Sequence, residues 1–567
     1  MMSASSLKWL GCGMAAAMAG VASPAWAQSA GGNPLDQIPA ARPARPPGSA
    51  ATPSLALQEP AGPAADVLER SIVPTRFDIQ GVNALPFAQL AKLFSPLVNQ
   101  PVTIGVLVAL TREATTLYQA SGHPLSFVFV PEQDFADGVV RVIAVEGYVA
   151  SVRIEGDAGP AEPKLREIAQ RLQSERPLRQ ATFERVSQLL ARVPGIELDA
   201  TAALPARTDG ATELVLKVRR QPFNLSLGAD VRQPTSRAVL NGVVNDPFVS
   251  GGQLSASTLL RDPQDERLLS LGYTQLIGGD GWQLSTSYSD YRGYPDEQLA
   301  RGAPLERFNT NKRLDASAGY PLILDARTSL VLKGGFYAVD NVDRYSERAT
   351  GGELTNDSRV RAIYAQGVYA DARPDRTRGL SVLLAQGIDG AGARDQITSN
   401  IAGLSGVGGS KPDFTRIAID ANQRDRYAND WGTAFAVGGQ YSGDSLATSE
   451  RVSFGGAHFG RAYAPGDAAG DSGWGASVEV NRMLRIEGTW LKQVEPFLLV
   501  EAAEVSSQLF SPMPAHLRSV ALGVRLSDSR HYSLDLAVAK PTGDPSSTNP
   551  QRKLRVGLLL SYQLAAR

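Results

Sequence analysis

Residues 282–291 read WQLSTSYSDY and alternate along their length between two kinds of side chain. One set is apolar, aromatic or β-branched and consists of Trp282, Leu284, Thr286 and Tyr288. The other set is polar and consists of Gln283, Ser285, Ser287 and Ser289. Successive side chains of a β-strand point to opposite faces, so a period of two sorts them between two surroundings. The stretch therefore predicts a strand with one apolar face and one polar face.

The same alternation recurs from Phe223 to the C-terminus, where helical spacing is absent. This half of the chain contains sixteen candidate strands. The clearest are residues 252–260, 282–291, 329–339, 473–480, 517–526 and 553–564. The pattern fits either a soluble β-sandwich or a β-barrel in an outer membrane.

Three features favour the barrel. The candidate strands are about ten residues long, which is enough to cross a bilayer when a strand is tilted. Short turns alternate with long polar loops, as they do in transmembrane barrels. The short turns are residues 277–281, 324–327, 372–375 and 427–430, and the long loops are near 293–306, 340–358, 390–412 and 443–472. The tryptophans beyond residue 27 lie at or near strand ends, where an aromatic girdle belongs: Trp282, Trp431, Trp474 and Trp490.

The N-terminus predicts export from the cytoplasm. Residues 1–27 have one charge, Lys8, then an apolar core and a small-residue cleavage site at 25–27, as in a secretory signal peptide. The only cysteine, Cys12, lies inside this segment, so the mature chain has no disulfides. Residues 28–73 are rich in proline and predict an extended linker. Removing Lys8 changes the formal net charge from −1 to −1 − 1 = −2, which does not suggest a nucleic-acid partner.

Two α/β units are expected between the linker and the strands, at residues 74–148 and 149–221. Each has the order β-α-α-β-β, and the second repeats the first about 75 residues later. In the first unit the predicted elements are a strand at 76–80, helices at 87–94 and 104–122, and strands at 126–130 and 139–147. In the second they are a strand at 149–156, helices at 164–172 and 182–191, and strands at 196–204 and 212–220.

Short motifs in these units resemble those of a known family. The first unit has FDIQGVNALP at 77–86, Tyr-x-x-x-Gly at 118–122, Val-Pro-x-Gln at 130–133 and Glu-Gly at 146–147. The second has Pro-Gly-Ile-x-Leu at 194–198 and Gly-x-Thr-Glu-Leu-Val at 210–215. Together with the signal and the strands, they resemble the two-partner secretion transporters (TpsB), the haemolysin secretion/activation family of the POTRA–barrel superfamily.

The resemblance implies a fold and a function. The fold is α+β plus membrane β-barrel, with two periplasmic POTRA (β-α-α-β-β) domains at 74–148 and 149–221. They precede a 16-stranded transmembrane β-barrel at 222–567. The implied function is an outer-membrane pore without its own energy source, which recognises and exports one large secreted protein. That partner would be a β-helical adhesin or haemolysin, and the pore a monomer surrounded by outer-membrane lipids.

The resemblance also marks one loop, at about 443–473, which in the superfamily folds into the barrel lumen with Val-Arg-Gly-Tyr/Phe at its tip. The corresponding tip residues are Phe459, Gly460, Arg461, Ala462 and Tyr463. Glycines at 455, 456 and 473 are expected to be the hinges: Gly455, Gly456 and Gly473. Alternation predicts that Glu479 and Glu501 face the lumen from adjacent strands. We therefore expect the guanidinium of Arg461 to bridge these two carboxylates.

No credible catalytic, cofactor or metal site is visible in the sequence. The histidines at 123, 458, 516 and 531 lack metal-ligand spacing, and the glycine-rich 401–411 lacks the Gly-Lys-Ser/Thr of a phosphate loop. Two other functions stay open at this stage. One is an insertase that assembles outer-membrane proteins, and the other is a passive porin.

Overall fold

The computed structural model describes residues 68–565, apart from 203, 206–207, 233–234, 263, 296–300, 457–458 and 513. The expected signal peptide and the expected linker up to residue 67 lie outside the described residues. The end of the expected linker is a strand rather than linker, since β1 (Ser71–Ile72) pairs with β3 (Val102–Thr103). The first unit therefore begins before residue 74.

The first unit is a three-stranded sheet covered by two helices. Its other elements are β2 (Arg76–Gln80), α1 (Phe87–Phe94), α2 (Ile104–Ala120), β4 (Phe127–Phe129) and β5 (Val139–Val145). The sheet order is β2-β5-β4, with β2 parallel and β4 antiparallel to β5. Both helices bury one apolar stripe against this sheet, which includes Leu90, Phe94, Leu107, Ala114 and Tyr118. The predicted β-α-α-β-β order is confirmed for this unit.

The sequence motifs of the first unit have a physical reason. One carboxylate oxygen of Glu146 accepts hydrogen bonds from the backbone N–H groups of Asn83 (2.7 Å) and Ala84 (2.6 Å). The same oxygen accepts from the hydroxyl of Tyr118 at 3.0 Å. Burial raises the pKa of Tyr118 above its ordinary value, and the adjacent Glu146 carboxylate raises it further. Gln133 completes the series, since its side-chain amide bonds to both backbone groups of Arg141 at 2.9 Å.

The second unit repeats the order of the first. It contains β6 (Tyr148–Asp157), α3 (Glu162–Gln173), α4 (Gln180–Ala191), β7 (Ile196–Ala202) and β8 (Ala211–Arg220). The sheet order is β6-β8-β7, again with one parallel and one antiparallel pair. Gly81 and Gly156 occupy equivalent places, each with positive φ and each against a backbone oxygen of the middle strand. A side chain at either position would meet that oxygen at 2.2 or 2.3 Å.

The C-terminal half is a closed antiparallel barrel of sixteen strands, which confirms the predicted number. The strands are β9 (Phe223–Arg232), β10 (Thr235–Asn245), β11 (Gly252–Leu259), β12 (Glu266–Ile277), β13 (Trp282–Gly293), β14 (Leu305–Leu324), β15 (Thr328–Glu347), β16 (Gly352–Ala372), β17 (Arg376–Gly387), β20 (Thr415–Arg426), β21 (Trp431–Tyr441), β24 (Ser472–Arg482), β26 (Gln493–Ser506), β27 (His516–Ser527), β28 (Tyr532–Pro541) and β29 (Arg555–Ala565). Shorter pieces are β18 (Arg394–Ser399), β19 (Gly406–Val407), β22 (Val452–Phe454), β23 (Ala468–Gly470) and β25 (Leu484–Arg485). Pairing of β29 with β9 closes the barrel.

The second unit rests on one end of the barrel, which we call the unit end; the opposite end is the far end. Arg185 on α4 donates to the hydroxyl of Tyr320 and to the carbonyl of Pro321, both at 3.0 Å. Leu276 and Leu324, next to two turns at this end, join the hydrophobic core of the unit. The four predicted short turns all lie at the unit end, and the long loops lie at the far end.

One predicted loop is wrong in extent. Residues 340–358 are mostly strand, because β15 and β16 run for 20 and 21 residues. Together with β14, whose Leu305 pairs with Glu347, they project beyond the other strands at the far end. The long cross-strand pairing of β15 with β16, from Thr328 with Asp371 to Glu347 with Gly352, satisfies backbone groups that a loop would leave to water. The polar composition of this stretch reflects exposure to water rather than the absence of a strand.

The outer face of the barrel is apolar, as the alternation predicts. Exposed outward residues include Trp282, Leu284, Val478, Val480, Leu498 and Val500. Trp282 and Trp431 begin strands at the unit end, and Trp490 lies in a unit-end turn, whereas Trp474 lies near the far end of β24. Among the described residues, no helix has an apolar stretch of the length that a membrane crossing requires.

Candidate functional site inside the barrel

The connection between β21 and β24, residues 442–471, enters the barrel lumen. Its first arm contains a short 3₁₀ turn, Thr448–Glu450. Its two arms then pair as a hairpin of β22 with β23. The tip beyond the hairpin packs against inward side chains of the barrel wall, and Phe459, Ala462 and Tyr463 are almost completely buried there. The stretch that the sequence marks as an inward-folded loop therefore contacts the wall from inside.

Glycines shape the tip, but not at all three expected positions. Gly455 and Gly456 have φ of 120° and 66°, in the region that favours glycine. A Cβ at 455 would lie 2.1 Å from the carbonyl oxygen of Ala464. Gly473 is not a hinge: it lies inside β24, where a Cβ would approach the carbonyl oxygen of Glu504 to 2.7 Å. Its strand is part of the barrel wall, and the missing side chain leaves space for the neighbouring strand to pack closely.

Phe459 fills a cleft that two other glycines create. Gly438 on β21 and Gly475 on β24 are cross-strand partners on the luminal face. Side chains at these positions would lie 3.0 and 2.6 Å from the ring of Phe459. The ring also meets Phe454 edge-on, with 5.9 Å between centroids. The absence of side chains from the wall at this point therefore lets the aromatic tip residue seat against the backbone.

Arg461 is anchored by a different acid from the expected pair. Its guanidinium donates from Nη1 to Oδ1 of Asp535 at 2.7 Å and from Nη2 to Oδ2 at 3.3 Å. Glu501 does face the lumen, but it accepts from the backbone N–H of Arg461 at 2.7 Å rather than from the guanidinium. The guanidinium therefore does not bridge Glu479 and Glu501. Asp535 lies on β28, two strands beyond β26, the strand that contains Glu501.

Glu479 serves a second arginine, Arg525 on β27. Nη1 of Arg525 donates to Glu479 Oε1 at 2.7 Å and to Glu495 Oε1 at 3.0 Å. Its Nε donates to Asp535 Oδ2 at 3.2 Å, so Asp535 joins the two arginines. The ring of Phe497 lies beneath both guanidiniums, at 4.2 Å from Arg525 and 5.2 Å from Arg461. The site is a network of arginines and carboxylates on the loop and on strands β20 to β28, since Arg426 on β20 also lies 3.9 Å from Glu495.

Gly460, Ala462 and Tyr463 complete the tip. A Cβ at Gly460 would lie 2.9 Å from Leu517, so this position has no room for a side chain, and Ala462 is fully buried. The hydroxyl of Tyr463 donates to the carbonyl of Asp544 in the far-end loop after β28, at 3.1 Å. The tip is therefore held by its backbone, its aromatic rings and its arginine together.

Asp535 and Arg525 are the residues that sequence reasoning missed. Alternation places both on the luminal face, but it places every second residue of sixteen strands there as well. A partial signal was available at residues 517–526, where alternation places Arg525 on the face opposite the apolar residues Val520, Leu522, Val524 and Leu526. The arrangement holds a loop in place, and among the described residues no cluster of His, Cys, Asp and Glu could hold a metal ion.

The comparisons with known proteins agree with this architecture. Residues 72–147 match the ShlB-type POTRA domain family. Two CdiB outer membrane transporters, from Escherichia coli and from its strain 536, are 28% and 27% identical over 235 and 239 residues. These matches cover 38% and 39% of this chain, and they span only 39% and 40% of the relatives' length.

Solved structures show the same fold over nearly the whole chain. CdiB from Escherichia coli superposes with a TM-score of 0.64 at 18% identity, covering 89% of this chain and 93% of that structure. CdiB from Acinetobacter baumannii gives 0.56 at 15% identity, covering 90% and 95%. The POTRA match at residues 72–147 and the closed barrel together form the architecture of outer-membrane proteins in which POTRA domains precede a barrel.

Over the aligned residues, the chain is similar to the CdiB outer membrane transporters. The resemblance to two-partner secretion transporters is thereby confirmed. The POTRA domain lies in the periplasm, so the unit end of the barrel is periplasmic and the far end faces the cell surface.

Proposed function

We propose that this protein exports one large secreted partner, in unfolded form, through its barrel, and that both α/β units act as POTRA domains in recognising it. We assign residues 74–148 and 149–221 to these domains, with Ser71–Ile72 added to the first, and 222–567 to the barrel. The partner is a β-helical adhesin or haemolysin-like protein. The transporter acts as a monomer in outer-membrane lipids, with no enzymatic activity, cofactor or energy source of its own.

The observation that carries the proposal is the anchored loop inside a closed barrel. A passive porin needs an open lumen and no periplasmic units. Here a loop crosses the lumen and is fastened by Arg461 to Asp535. Such a pore is closed at rest and opens when a specific substrate displaces the loop, which suits a transporter dedicated to one protein.

The periplasmic units supply surfaces for an extended chain. In each unit the middle strand is paired on both sides, whereas the two outer strands are paired on one side. An unpaired strand edge can accept a further strand through backbone hydrogen bonds. An unfolded segment of the partner can therefore add to β2 or β4 in the first unit, and to β6 or β7 in the second.

The test is transport into liposomes that contain the purified protein. The neighbouring reading frame is first examined for a large secreted β-helical protein. An unfolded N-terminal fragment of that protein is the probe, and protease protection reports its entry. We expect protection of that fragment but not of a scrambled version. Equal protection of both would contradict dedicated export. Folding of an unrelated outer-membrane barrel into the same liposomes would indicate an insertase instead.

A further inference from the structure

The loop has a second ion pair that the tip arginine does not explain. Glu450, in the 3₁₀ turn of the first arm, has no exposed surface, and Arg416 on β20 is 1% exposed. Nη2 of Arg416 lies 3.0 Å from Oε2 of Glu450. The hydroxyl of Tyr337 on β15 donates to the same carboxylate oxygen at 2.7 Å. We call this group the far-end anchor, and the Arg461–Asp535 pair the tip anchor.

An apolar cluster surrounds the far-end anchor. Leu446 and Ala447, in the first arm of the loop, pack with Tyr337, Val339, Val360, Ala362 and Phe414. These wall residues lie on β15, β16 and the start of β20, at or beyond the middle of the barrel toward the far end. A buried ion pair inside an apolar surrounding has little access to water, so each charge depends on the other. The first arm is therefore fixed to this part of the wall.

The two anchors lie on different parts of the barrel wall. Tyr337 is on the seventh strand and Arg416 is on the tenth, whereas Asp535 is on the fifteenth, eight and five strands away in a closed ring of sixteen. The heights also differ: Arg416 is one residue from the far end of β20, whereas Asp535 is near the unit end of β28. The loop is therefore fastened to the wall at two separate places.

A third group of hydrogen bonds, formed by Asp471, limits how far movement at one anchor reaches the other. Asp471, 1% exposed, is at the base of the second arm. Its Oδ1 accepts from the backbone N–H of Leu446 at 3.0 Å, and its Oδ2 accepts from Ser507 and Gln508 of a far-end loop at 2.7 Å. These bonds tie both arms to each other and to the rim. The tip can therefore move while the residues fixed by Asp471, and with them Glu450, stay in place.

From this geometry we infer that the loop is a strap with two independent fastenings, and that the far-end anchor keeps the outer part of the lumen closed. Release of the tip anchor frees the residues around Arg461, and release of the far-end anchor opens the exit. Passage of the exported chain requires both. This role in transport rests on the proposed function, but the independence of the two fastenings does not.

The absence of cysteine from the mature chain allows a direct test in the full-length protein. Single thiols are introduced by Ala447→Cys, 5% exposed, and by Ala462→Cys, 0% exposed. Their reaction with a small membrane-impermeant maleimide, added to protein in liposomes, reports whether each site is covered. Each thiol is combined with Glu450→Gln, with Asp535→Asn, or with the control Glu353→Gln, an exposed carboxylate at the far end of β16.

We expect Glu450→Gln to speed labelling at 447 by about tenfold or more and to leave labelling at 462 unchanged, as for a local opening. Asp535→Asn should give the reverse pattern, and Glu353→Gln should change neither. Exposure of both thiols by either single substitution would overturn the inference, as would protection at 447 in a folded Glu450→Gln protein. If Glu450→Gln fails to show heat-modifiable migration, Tyr337→Phe removes one bond to Glu450 and must raise labelling at 447 instead. Labelling needs no secreted partner, so its failure is distinct from failure of the proposed function.

Discussion

Arg461 shows why the residue type at the tip matters. Two nitrogens of its guanidinium reach two oxygens of Asp535, a geometry that a planar fork provides and a single ammonium cannot. The side chains are 15% and 10% exposed, between the surface and fully buried cases. Removing one partner of a buried pair costs about 3–5 kcal/mol, and an exposed pair is worth about 0–1 kcal/mol. We place this pair between them, at about 1–3 kcal/mol.

Arg461→Ala should reduce export strongly while the barrel still assembles, because the hydrogen-bonded wall does not use this side chain. Arg461→Lys should recover little of the activity. Asp535→Asn should reduce export as strongly as Arg461→Ala does. Glu501→Gln should reduce export less, since Glu501 contacts the backbone of residue 461. Secretion of the partner into the medium is the measurement, with heat-modifiable migration on gels as the check of assembly.

The matched control is Arg348→Ala. Arg348 forms a 2.7 Å ion pair with Glu306 at the far end, but it is 60% exposed and lies outside the lumen. It should secrete as the unmodified protein does. Normal export by Arg461→Ala, or full activity of Arg461→Lys, would contradict an anchoring role for the guanidinium.

At the scale of elements, one partly buried carboxylate joins two parts of the first unit. Glu146 joins the turn after β2, through Asn83 and Ala84, to the end of α2, through Tyr118. A buried group left without its partner costs about 1–3 kcal/mol. This contact fixes how the end of α2 meets the turn before α1, because the two meet only at this carboxylate among the hydrogen bonds of the described residues.

A periplasmic fragment of residues 68–221 should fold alone, and Tyr118→Phe should destabilise it by about 1–3 kcal/mol at neutral pH. The pKa of Tyr118 is raised above its ordinary value of 10, so the unfolded chain loses this proton at lower pH than the folded fragment. The stability from the neutral hydroxyl is complete below about pH 10 and is lost above it, by about 1.4 kcal/mol per pH unit. Tyr118→Phe should remove that part of the alkaline loss.

The measurement is the free energy of unfolding of the fragment between pH 7 and pH 11, obtained from urea unfolding followed by circular dichroism, within the range where the fragment stays soluble. Glu146→Gln should also destabilise the fragment, whereas Glu113→Gln, an exposed carboxylate on α2, should not. An unchanged alkaline slope in Tyr118→Phe would show that other groups account for it.

At the scale of the whole molecule, the second unit and the barrel form a continuous surface. Arg185 places a half-buried guanidinium on Tyr320 and Pro321, and the backbone N–H of Lys164 donates to Ser250 at 3.1 Å. Leu189 packs where Gly281 leaves space, since a Cβ there would be 2.5 Å from it. The direction of the periplasmic units relative to the lumen is therefore fixed by three unit-end turns.

Arg185→Ala should loosen this junction, because the carbonyl of Pro321 and the hydroxyl of Tyr320 lose a donor. Spin labels attached through Arg179→Cys in the second unit and Arg530→Cys in a unit-end turn should report a broader distance distribution by pulsed electron resonance. Arg166→Ala, which removes an exposed ion pair within α3, is the control and should leave it narrow. A narrow distribution in Arg185→Ala would mean that the apolar contacts alone hold the unit.

The sequence by itself determined which way side chains face. Because strand geometry has a period of two, alternation was enough to predict sixteen strands, the apolar outer face and the luminal position of Glu479 and Glu501. Helical spacing of apolar residues added the two helices in the β-α-α-β-β order of each unit. Only the tertiary structure decided which luminal groups meet. Closure of the barrel places strands that are far apart in sequence around one lumen. The path of the loop through that lumen decides which of their side chains it contacts. Asp535 and Glu501 therefore share Arg461, Glu479 pairs with Arg525, and Glu450 finds Arg416 across a distance that no spacing along the chain encodes.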